Sequence, residues 1–196
     1  MESVKVLSFH IQGTVPTLMH NGRLADPLDE KSILLKEITG KRKKTEADQM
    51  EMSRIEHEAG LYLNCKGRPY WPPMNIRAMI IAAAKKSKEG TIAKTAFAVA
   101  GDTELIYDGP KTVEGLWKNK TFVNRSRTKM GAGTSVMRTR PIFPQWELKF
   151  DIEYFPDQVS KKTVVDWVAL AGRVIGLSDW RPQHGLFRVL GVEEDA

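Results

Sequence analysis

Basic side chains are concentrated in one short stretch of the chain, residues 111–140. The stretch contains a single acid, Glu114, and eight cations: Lys111, Lys118, Lys120, Arg125, Arg127, Lys129, Arg138 and Arg140. A second run adds Lys41, Arg42, Lys43 and Lys44. The whole chain has 30 basic and 24 acidic residues, so outside these stretches 18 basic residues stand against 23 acidic ones. An acidic body with two arginine-containing basic segments predicts a polyanionic partner, with a surface of ordinary solvated lysines as the alternative.

The spacing of the cations within this stretch is typical of a β-hairpin. Basic and uncharged residues alternate over residues 125–129 and again over 138–140, as on two strands. Gly131-Ala132-Gly133 between them predicts a flexible tip. In the predicted register like charges oppose each other, in the pairs Arg125–Arg140 and Arg127–Arg138. Opposed like charges destabilise a strand pair, so we expect a loose hairpin that a phosphate backbone neutralises and orders.

Aromatic residues near the basic stretch suggest stacking of bases. Trp117 and Phe122 are candidate platforms, at about 1–3 kcal/mol per base, and ordinary packing in the core is the equal alternative. Trp146 and Trp167 are predicted to pack in the core.

Composition limits the class of protein. The chain has 196 residues, 41% of them hydrophobic, which is enough for the core of one domain spanning residues 1–196. The single cysteine, Cys65, allows no internal disulfide and indicates a reducing compartment. The sequence predicts neither a signal peptide nor a membrane span, so we expect a cytoplasmic protein that does not contact membranes.

Hydrophobic periodicity predicts six core elements in the order strand, helix, strand, strand, helix, strand. Their predicted ranges are 4–12, 75–87, 95–100, 146–154, 160–175 and 186–192. The fold class is therefore α+β, with a ferredoxin-like, RRM-like βαββαβ core of two helices on one antiparallel sheet. Two long insertions, residues 17–71 and 104–143, contain the basic segments. In the first we expect an irregular segment over 17–39 and a helix that begins at Thr45 and ends at Gly60.

The predicted sheet has an acidic open face. Glu147, Asp151 and Glu153 alternate with the apolar residues of the third core strand, so they share the face opposite the buried one. Three acids repel a phosphate backbone. We therefore expect a nucleic acid to follow the insertions and not the sheet.

The chain resembles the RAMP superfamily, in particular the backbone subunit that polymerises along guide RNA in CRISPR effector complexes. The resemblance lies in the order of elements and in two local patterns. One is Pro72-Pro73-Met74-Asn75-Ile76-Arg77-Ala78-Met79, similar to the start of the first core helix in that family. The other is the segment Gly176 to Arg188, similar to the glycine-containing loop before the last strand, although only Gly176 and Gly185 are glycines here. A phage or mobile-element relative of that fold is an equal alternative to a true CRISPR subunit.

The resemblance implies that the basic hairpin is the thumb that bends the nucleic acid and that protomers assemble side by side. Together with the charge pattern, it predicts a protein that binds single-stranded RNA, or DNA, mainly through the phosphate backbone. The predicted binding residues are Lys41, Arg42, Lys43, Lys44, Arg77, Lys118, Lys120, Arg125, Arg127, Lys129, Arg138, Arg140, Trp180, Arg181 and Arg188. A phage structural or interaction protein whose basic arm docks an acidic partner is the second hypothesis.

A ribonuclease is the third hypothesis, because a relative in the same superfamily cleaves RNA with a histidine. His20 and His184 are the candidates, but nothing in the sequence places a partner for acid–base catalysis beside either. Asp26 falls near an aspartate of RNA-cleaving backbone subunits, although a turn residue before Pro27 explains it better. His57 is predicted to be solvated on its helix. No phosphate loop or metal cluster is present in the sequence, so we predict no cofactor, no metal and no enzymatic activity.

Overall fold

A four-stranded antiparallel sheet forms the centre of the protein. The computed structural model describes residues 3–130 and 133–194. The strands, in spatial order, are β4 (Phe97–Ala100), β8 (Glu147–Tyr154), β1 (Lys5–Gly13) and β9 (Phe187–Glu194). Two helices pair beside it, α3 (Pro73–Lys86) and α5 (Lys161–Val174). Along the chain these six elements follow the predicted order, and the predicted α+β class is confirmed.

Alternation of apolar and polar residues fixes the orientation of the two central strands. Leu7, Phe9 and Ile11 of β1 are buried, and every second residue of β8 from Leu148 to Tyr154 is buried as well. Opposed residues pack across the strands, with the rings of Phe9 and Phe150 stacked 5.5 Å apart. The other face of β8 is exposed and carries the acids expected there.

The two helices of the centre begin where local signals place them. Pro73 is the first residue of α3, a position that needs no backbone N–H donor. Ser160 caps α5 by accepting a hydrogen bond from the N–H of Thr163. The apolar residues Val164, Trp167, Val168 and Ala171 of α5 are buried. Val174, in the last turn of the helix, is exposed.

The segment between β1 and α3 contains more regular structure than expected. It holds β2 (Thr17–Leu18), α1 (Glu30–Thr39), α2 (Glu46–Gly60) and β3 (Tyr70–Trp71). The prediction for α2 is confirmed, including the capping box between Thr45 and Asp48. The prediction of an irregular segment over 17–39 is wrong. Asp29 caps α1. No side chain of α1 is buried, so this helix has no strong apolar stripe.

The segment between β4 and β8 forms an arm beside the central sheet. It holds β5 (Thr103–Glu104), α4 (Val113–Lys118), β6 (Val123–Met130) and β7 (Thr134–Phe143). β6 and β7 pair as an antiparallel hairpin, and β7 also pairs with β2. β6 is therefore the edge strand of a three-stranded sheet. Among the described residues, no helix is long and apolar enough to cross a membrane.

Candidate nucleic-acid interface

The register of the β6–β7 hairpin differs from the predicted one by one residue. Arg125 lies opposite Thr139, and Arg127 lies opposite Met137. The expectation that like charges oppose each other and loosen the hairpin is therefore wrong. Gly131 and Ala132 of the expected tip lie outside the described residues.

The shift in register separates the five cations of the hairpin into two groups. Opposed residues share a face of a strand pair, so a shift of one residue moves a side chain to the other face. Arg125, Arg127 and Lys129 project from one face, which we call the basic face. Arg138 and Arg140 project from the opposite face.

Arg138 and Arg140, two of the predicted binding residues, bind carboxylates of the same chain. Arg138 donates to Glu56 on α2 at 2.7 Å, and the N–H of Thr139 donates to the other oxygen of Glu56 at 2.8 Å. Arg140 donates to Asp179 at 2.6 Å and is only 7% exposed. These pairs fix the hairpin to α2 and to the loop after α5, so the two arginines act as anchors.

The basic face is free of such pairs. The side chains of Arg125, Arg127 and Lys129 are exposed. No hydrogen bond or ion pair to any of the three occurs within residues 3–130 and 133–194. Successive side chains on one face of a strand are about 6.8 Å apart. The hairpin therefore presents a row of three cations to solvent.

A groove of about 470 Å³ connects this row to the loop after α5. Arg127 and Lys129 line it from the hairpin, and Trp180 lines it from the loop. The floor includes Arg140 and Asp179, the pair that joins the two parts. The structure thus brings together four of the predicted site residues: Arg127, Lys129, Arg140 and Trp180.

Trp180 is held in a backbone conformation that a large side chain rarely adopts. Its φ is 62°, in the left-handed region, and its side chain is 46% exposed. The nearest ring, that of His184, lies 5.8 Å away. The loop before Trp180 is fixed by the N–H of Asp179, which donates to the carbonyl of Leu18 at 2.8 Å. A strained and exposed aromatic on an anchored loop is a feature of binding sites.

The two glycines of this loop are required by a close approach of its ends. Gly185 has a φ of +79°, and a Cβ there would lie 2.4 Å from the carbonyl oxygen of Leu177. The N–H of Leu177 donates to the carbonyl of Gly185 at 2.8 Å. Gly176 has a φ of +82°, and a Cβ there would lie 2.8 Å from the carbonyl oxygen of His184. Although the loop contains few glycines, its backbone segments meet closely at these two positions.

A second cavity, of about 420 Å³, opens on the other side of the same loop. The start of α3 contributes Met74 and Asn75, the loop contributes Asp179 and Arg181, and Tyr62 and Trp71 complete the wall. His20 stands at its margin. We call this cavity the α3 cleft.

The run Lys41 to Lys44 lies in the loop between α1 and α2 and is exposed. Lys41 binds Asp48 at 2.5 Å, which lowers the pKa of Asp48 to about 2.

Glu56 contacts β7 near Thr139, and Gly60 lies near Pro141, so α2 and β7 run in the same direction. The start of α2, about 15 Å before Glu56, therefore points toward the tip of the hairpin.

Four other predicted cations do not join the groove. Arg77 donates to the carbonyl of Lys94, and Arg188 binds Gln12 at 2.6 Å on the open face of the central sheet. Lys118 pairs with Glu114 at 2.6 Å on α4. Lys120 lies over the ring of Trp117, 4.1 Å from its centre.

The two predicted stacking platforms beside α4 are engaged inside the protein. Phe122 is 4% exposed and packs on Tyr107 and Phe143, so of the two alternatives for this residue the structure shows packing in the core. Trp117 packs against His57, at 5.5 Å between rings. His57 is fully buried and hydrogen-bonds the carbonyl of Phe122 at 3.0 Å, so the expectation of a solvated histidine is wrong.

Of the candidate catalytic residues, Asp26 has the role of a turn residue, and His20 lines the α3 cleft together with Asp179. Asp26 accepts a hydrogen bond from the N–H of Leu28 at 2.9 Å, which is the expected role of a turn residue. Desolvation lowers the pKa of His20, against the opposing effect of Asp179. The ring nitrogens of His20 and His184 make no hydrogen bond within the described parts of the chain.

Comparison with known proteins finds a likeness among solved structures. No protein-family model matches the chain, and no curated protein matches it. Among solved structures it is similar to a chain in the cryo-EM structure of the type III-B Cmr-beta bound to cognate target RNA. The TM-score is 0.58 at 12% sequence identity, and the match covers 97% of this chain and 60% of that one. The chain thus shares its fold with a subunit of a type III-B CRISPR complex and spans about three-fifths of that subunit's length.

Proposed function

We propose that this protein binds single-stranded nucleic acid, RNA in preference to DNA, through the basic face of the β6–β7 hairpin and the groove beside Trp180. The observation that carries the proposal is the row formed by Arg125, Arg127 and Lys129. These three cations are exposed and have no acidic partner among the described residues, whereas Arg138 and Arg140 in the same hairpin are paired. Unpaired cations in a row are suited to successive phosphates.

Trp180 extends this surface with a ring on which a base can stack. The ring is exposed and shares the groove with Arg127 and Lys129. Because every base has an apolar face, a stacking ring next to a cationic row binds a strand with little preference for sequence. Phosphate contacts then fix the position of the strand, and stacking adds affinity.

We further infer a RAMP-like protein with a ferredoxin-like core. The strand order β4-β8-β1-β9, with α3 and α5 beside the sheet, supports this inference. The hairpin corresponds to the thumb in that inference. The likeness to a chain from an RNA-bound complex favours RNA over DNA. Side-by-side assembly along the strand is part of the same proposal and rests on the resemblance in sequence alone.

The acidic open face of the sheet supports placing the strand on the arm. Glu147 there accepts hydrogen bonds from His10 and Gln12, and Asp151 accepts one from Ser8. The aromatic side chains of β1 and β8 point to the opposite, buried side. Although Lys149 and Arg188 also lie on this face, its three carboxylates oppose a phosphate backbone.

The test compares two triple variants that lose the same charge. In the first, Arg125, Arg127 and Lys129 are changed to Ala. In the matched control, three exposed cations away from the arm are changed to Ala, namely Lys86, Lys149 and Arg173. Fluorescence anisotropy with labelled single-stranded RNA and DNA measures the affinity of each.

We expect the first variant to bind RNA about tenfold or more weakly than the unmodified protein and the control to bind nearly as well. Equal losses in both variants would show that only net charge matters and would contradict the proposed face. Tight binding of an acidic protein without binding of any strand would favour the alternative hypothesis of a docking arm. Shortening of the labelled strand that disappears in His20→Ala or His184→Ala would identify a ribonuclease; we propose that none occurs.

A further inference from the structure

The α3 cleft is not used by the proposed contacts to the phosphate backbone, yet it opens beside the same loop. Its volume of about 420 Å³ lies within the range of small-ligand sites. Asp179 and Arg181, which flank Trp180 in sequence, line it. The loop that presents Trp180 to the groove therefore also borders this cleft.

An aromatic ring gives the cleft a surface suited to a planar ligand. The half-buried ring of Tyr62 lines the cleft and packs on the buried Trp71, with the ring centres 5.7 Å apart. Met74, at the start of α3, also lines the cleft and is 72% exposed. Flat aromatic surfaces and a polarizable thioether bind the faces of ring systems.

Trp71 also has a hydrogen-bond donor without an acceptor. The residue is only 2% exposed, and its Nε1–H makes no hydrogen bond within the described residues. A buried donor without a partner is rare in folded proteins. This nitrogen is closed to solvent, so a ligand in the cleft does not reach it unless the wall moves.

Two charged side chains that do not bind each other, those of Asp179 and Arg181, also line the cleft. The guanidinium of Arg181 makes no hydrogen bond or ion pair within the part of the chain that the structure describes. Asp179 uses Oδ2 to bind Arg140, while Oδ1 accepts no hydrogen bond there. The cleft thus offers free donors from Arg181 next to a free acceptor from Asp179.

We propose that the α3 cleft binds a single unstacked guanine base of the bound strand, an inference that rests on the proposed function. Guanine presents two acceptors, O6 and N7, which arginine recognises, and donors at N1 and N2 that a carboxylate accepts. Its flat ring suits the exposed part of the Tyr62 ring. Adenine and cytosine carry fewer donors for the carboxylate, and uracil lacks an exocyclic amine.

Neighbouring groups are compatible with a neutral base. His20 stands at the margin, and its desolvation favours the uncharged ring. The amide oxygen of Asn75 accepts no hydrogen bond within the described residues, while its Nδ2 reaches the hydroxyl of Tyr62 at 3.5 Å. The amide can therefore turn toward a base edge without breaking a strong contact.

The experiment measures base preference at one position. Four labelled RNAs of about 15 nucleotides share a uridine background and carry G, A, C or U at the centre. Anisotropy titrations give the affinity of each for the unmodified full chain. We expect the G-containing strand to bind about tenfold more tightly than the all-uridine strand.

Three variants assign the preference to the cleft. Arg181→Ala and Asn75→Ala should reduce the G-to-U affinity ratio toward one, and Lys149→Ala on the open face of the sheet should leave it unchanged. The ratio is insensitive to a general loss of phosphate contacts, because such a loss affects all four strands equally.

The two proposals fail in different ways. Equal affinity for all four strands, or a preference for a base other than guanine, would overturn the guanine site and leave the backbone interface standing. A guanine preference that survives in both Arg181→Ala and Asn75→Ala would also overturn it. Failure to bind any strand would overturn both.

Discussion

Arg140 on β7 donates a hydrogen bond to Asp179 across 2.6 Å, and this contact joins the hairpin to the loop that presents Trp180. The arginine is nearly buried, with 9% of its side chain exposed, whereas the carboxylate is 34% exposed. The contact therefore lies at the boundary between core and solvent, directly beneath the groove. It sets the position of the exposed cations relative to the stacking ring.

Removing the carboxylate of this pair should weaken the fold. Asp179→Asn leaves the guanidinium of Arg140 buried without a counter-charge, so we expect the free energy of unfolding to fall by about 1–2 kcal/mol. Urea denaturation measures the change. Asp166→Asn breaks an exposed pair with Lys162 at 2.5 Å and should cost much less. Equal costs in both variants would show that the Arg140–Asp179 pair does not anchor the hairpin.

The loop after α5 should tolerate no side chain at Gly185. Gly185→Ala places a Cβ against the backbone of Leu177 in a left-handed conformation, so we expect a loss of about 3 kcal/mol or more. Gly67→Ala is the control, because Gly67 has a φ of +70° and open space around it. That variant should cost about 1 kcal/mol. Similar midpoints for the two variants in urea denaturation would contradict the close approach.

Trp180 should contribute to binding and not to stability. Trp180→Gly removes the stacking ring and also relieves the left-handed backbone conformation of a bulky residue. We expect unfolding free energy within about 1 kcal/mol of the unmodified protein, with an affinity for single strands about tenfold lower. A variant that unfolds readily, or that binds as well as the unmodified protein, would show that the ring has a structural role instead.

The buried His57 should make the fold sensitive to acid. Burial lowers the pKa of His57 below 6.5, and Glu58 and Lys120 are the charged groups that act on it. The unfolded chain therefore binds a proton near pH 6.5 that the folded protein does not, so stability is complete above that pH and falls as the pH decreases.

The variant His57→Gln isolates this effect from other titrating groups. Between pH 7 and pH 5 we expect its unfolding free energy to fall by about 1 kcal/mol less than that of the unmodified protein. Urea denaturation at both pH values provides the comparison. An identical fall in the two proteins would mean that His57 is protonated in the folded state as well.

The order of the core elements could be predicted because local pattern determines it. The alternation in β1 and β8, the capping box at Thr45 and the N-cap at Ser160 all depend on residues close together in sequence. The helix α1 could not be predicted, because none of its side chains is buried and its sequence therefore has no strong hydrophobic periodicity. The burial of Phe122 and His57 could not be predicted, because it depends on the packing of α2 against the arm, two segments that are distant in sequence.

The candidate site could be predicted only in part for a related reason. The cationic stretch is visible in composition, but which cations are free depends on register and on carboxylates far away in sequence. Glu56 lies 82 residues from Arg138, and Asp179 lies 39 residues from Arg140. The α3 cleft combines five segments that are distant in sequence. The sequence analysis singled out His20 and the segments 72–79 and 176–188 separately, but their meeting with Tyr62 and Trp71 depends on the fold.

The dependence of RNA affinity on salt concentration tests the central claim most directly. If Arg125, Arg127 and Lys129 each contact a phosphate, then changing all three to Ala should reduce the slope of log affinity against log salt by about 2, since each contact contributes about 0.7 on a single strand. The control variant with Lys86, Lys149 and Arg173 changed to Ala should keep the original slope. An unchanged slope in the first variant would contradict the claim that this face binds the strand.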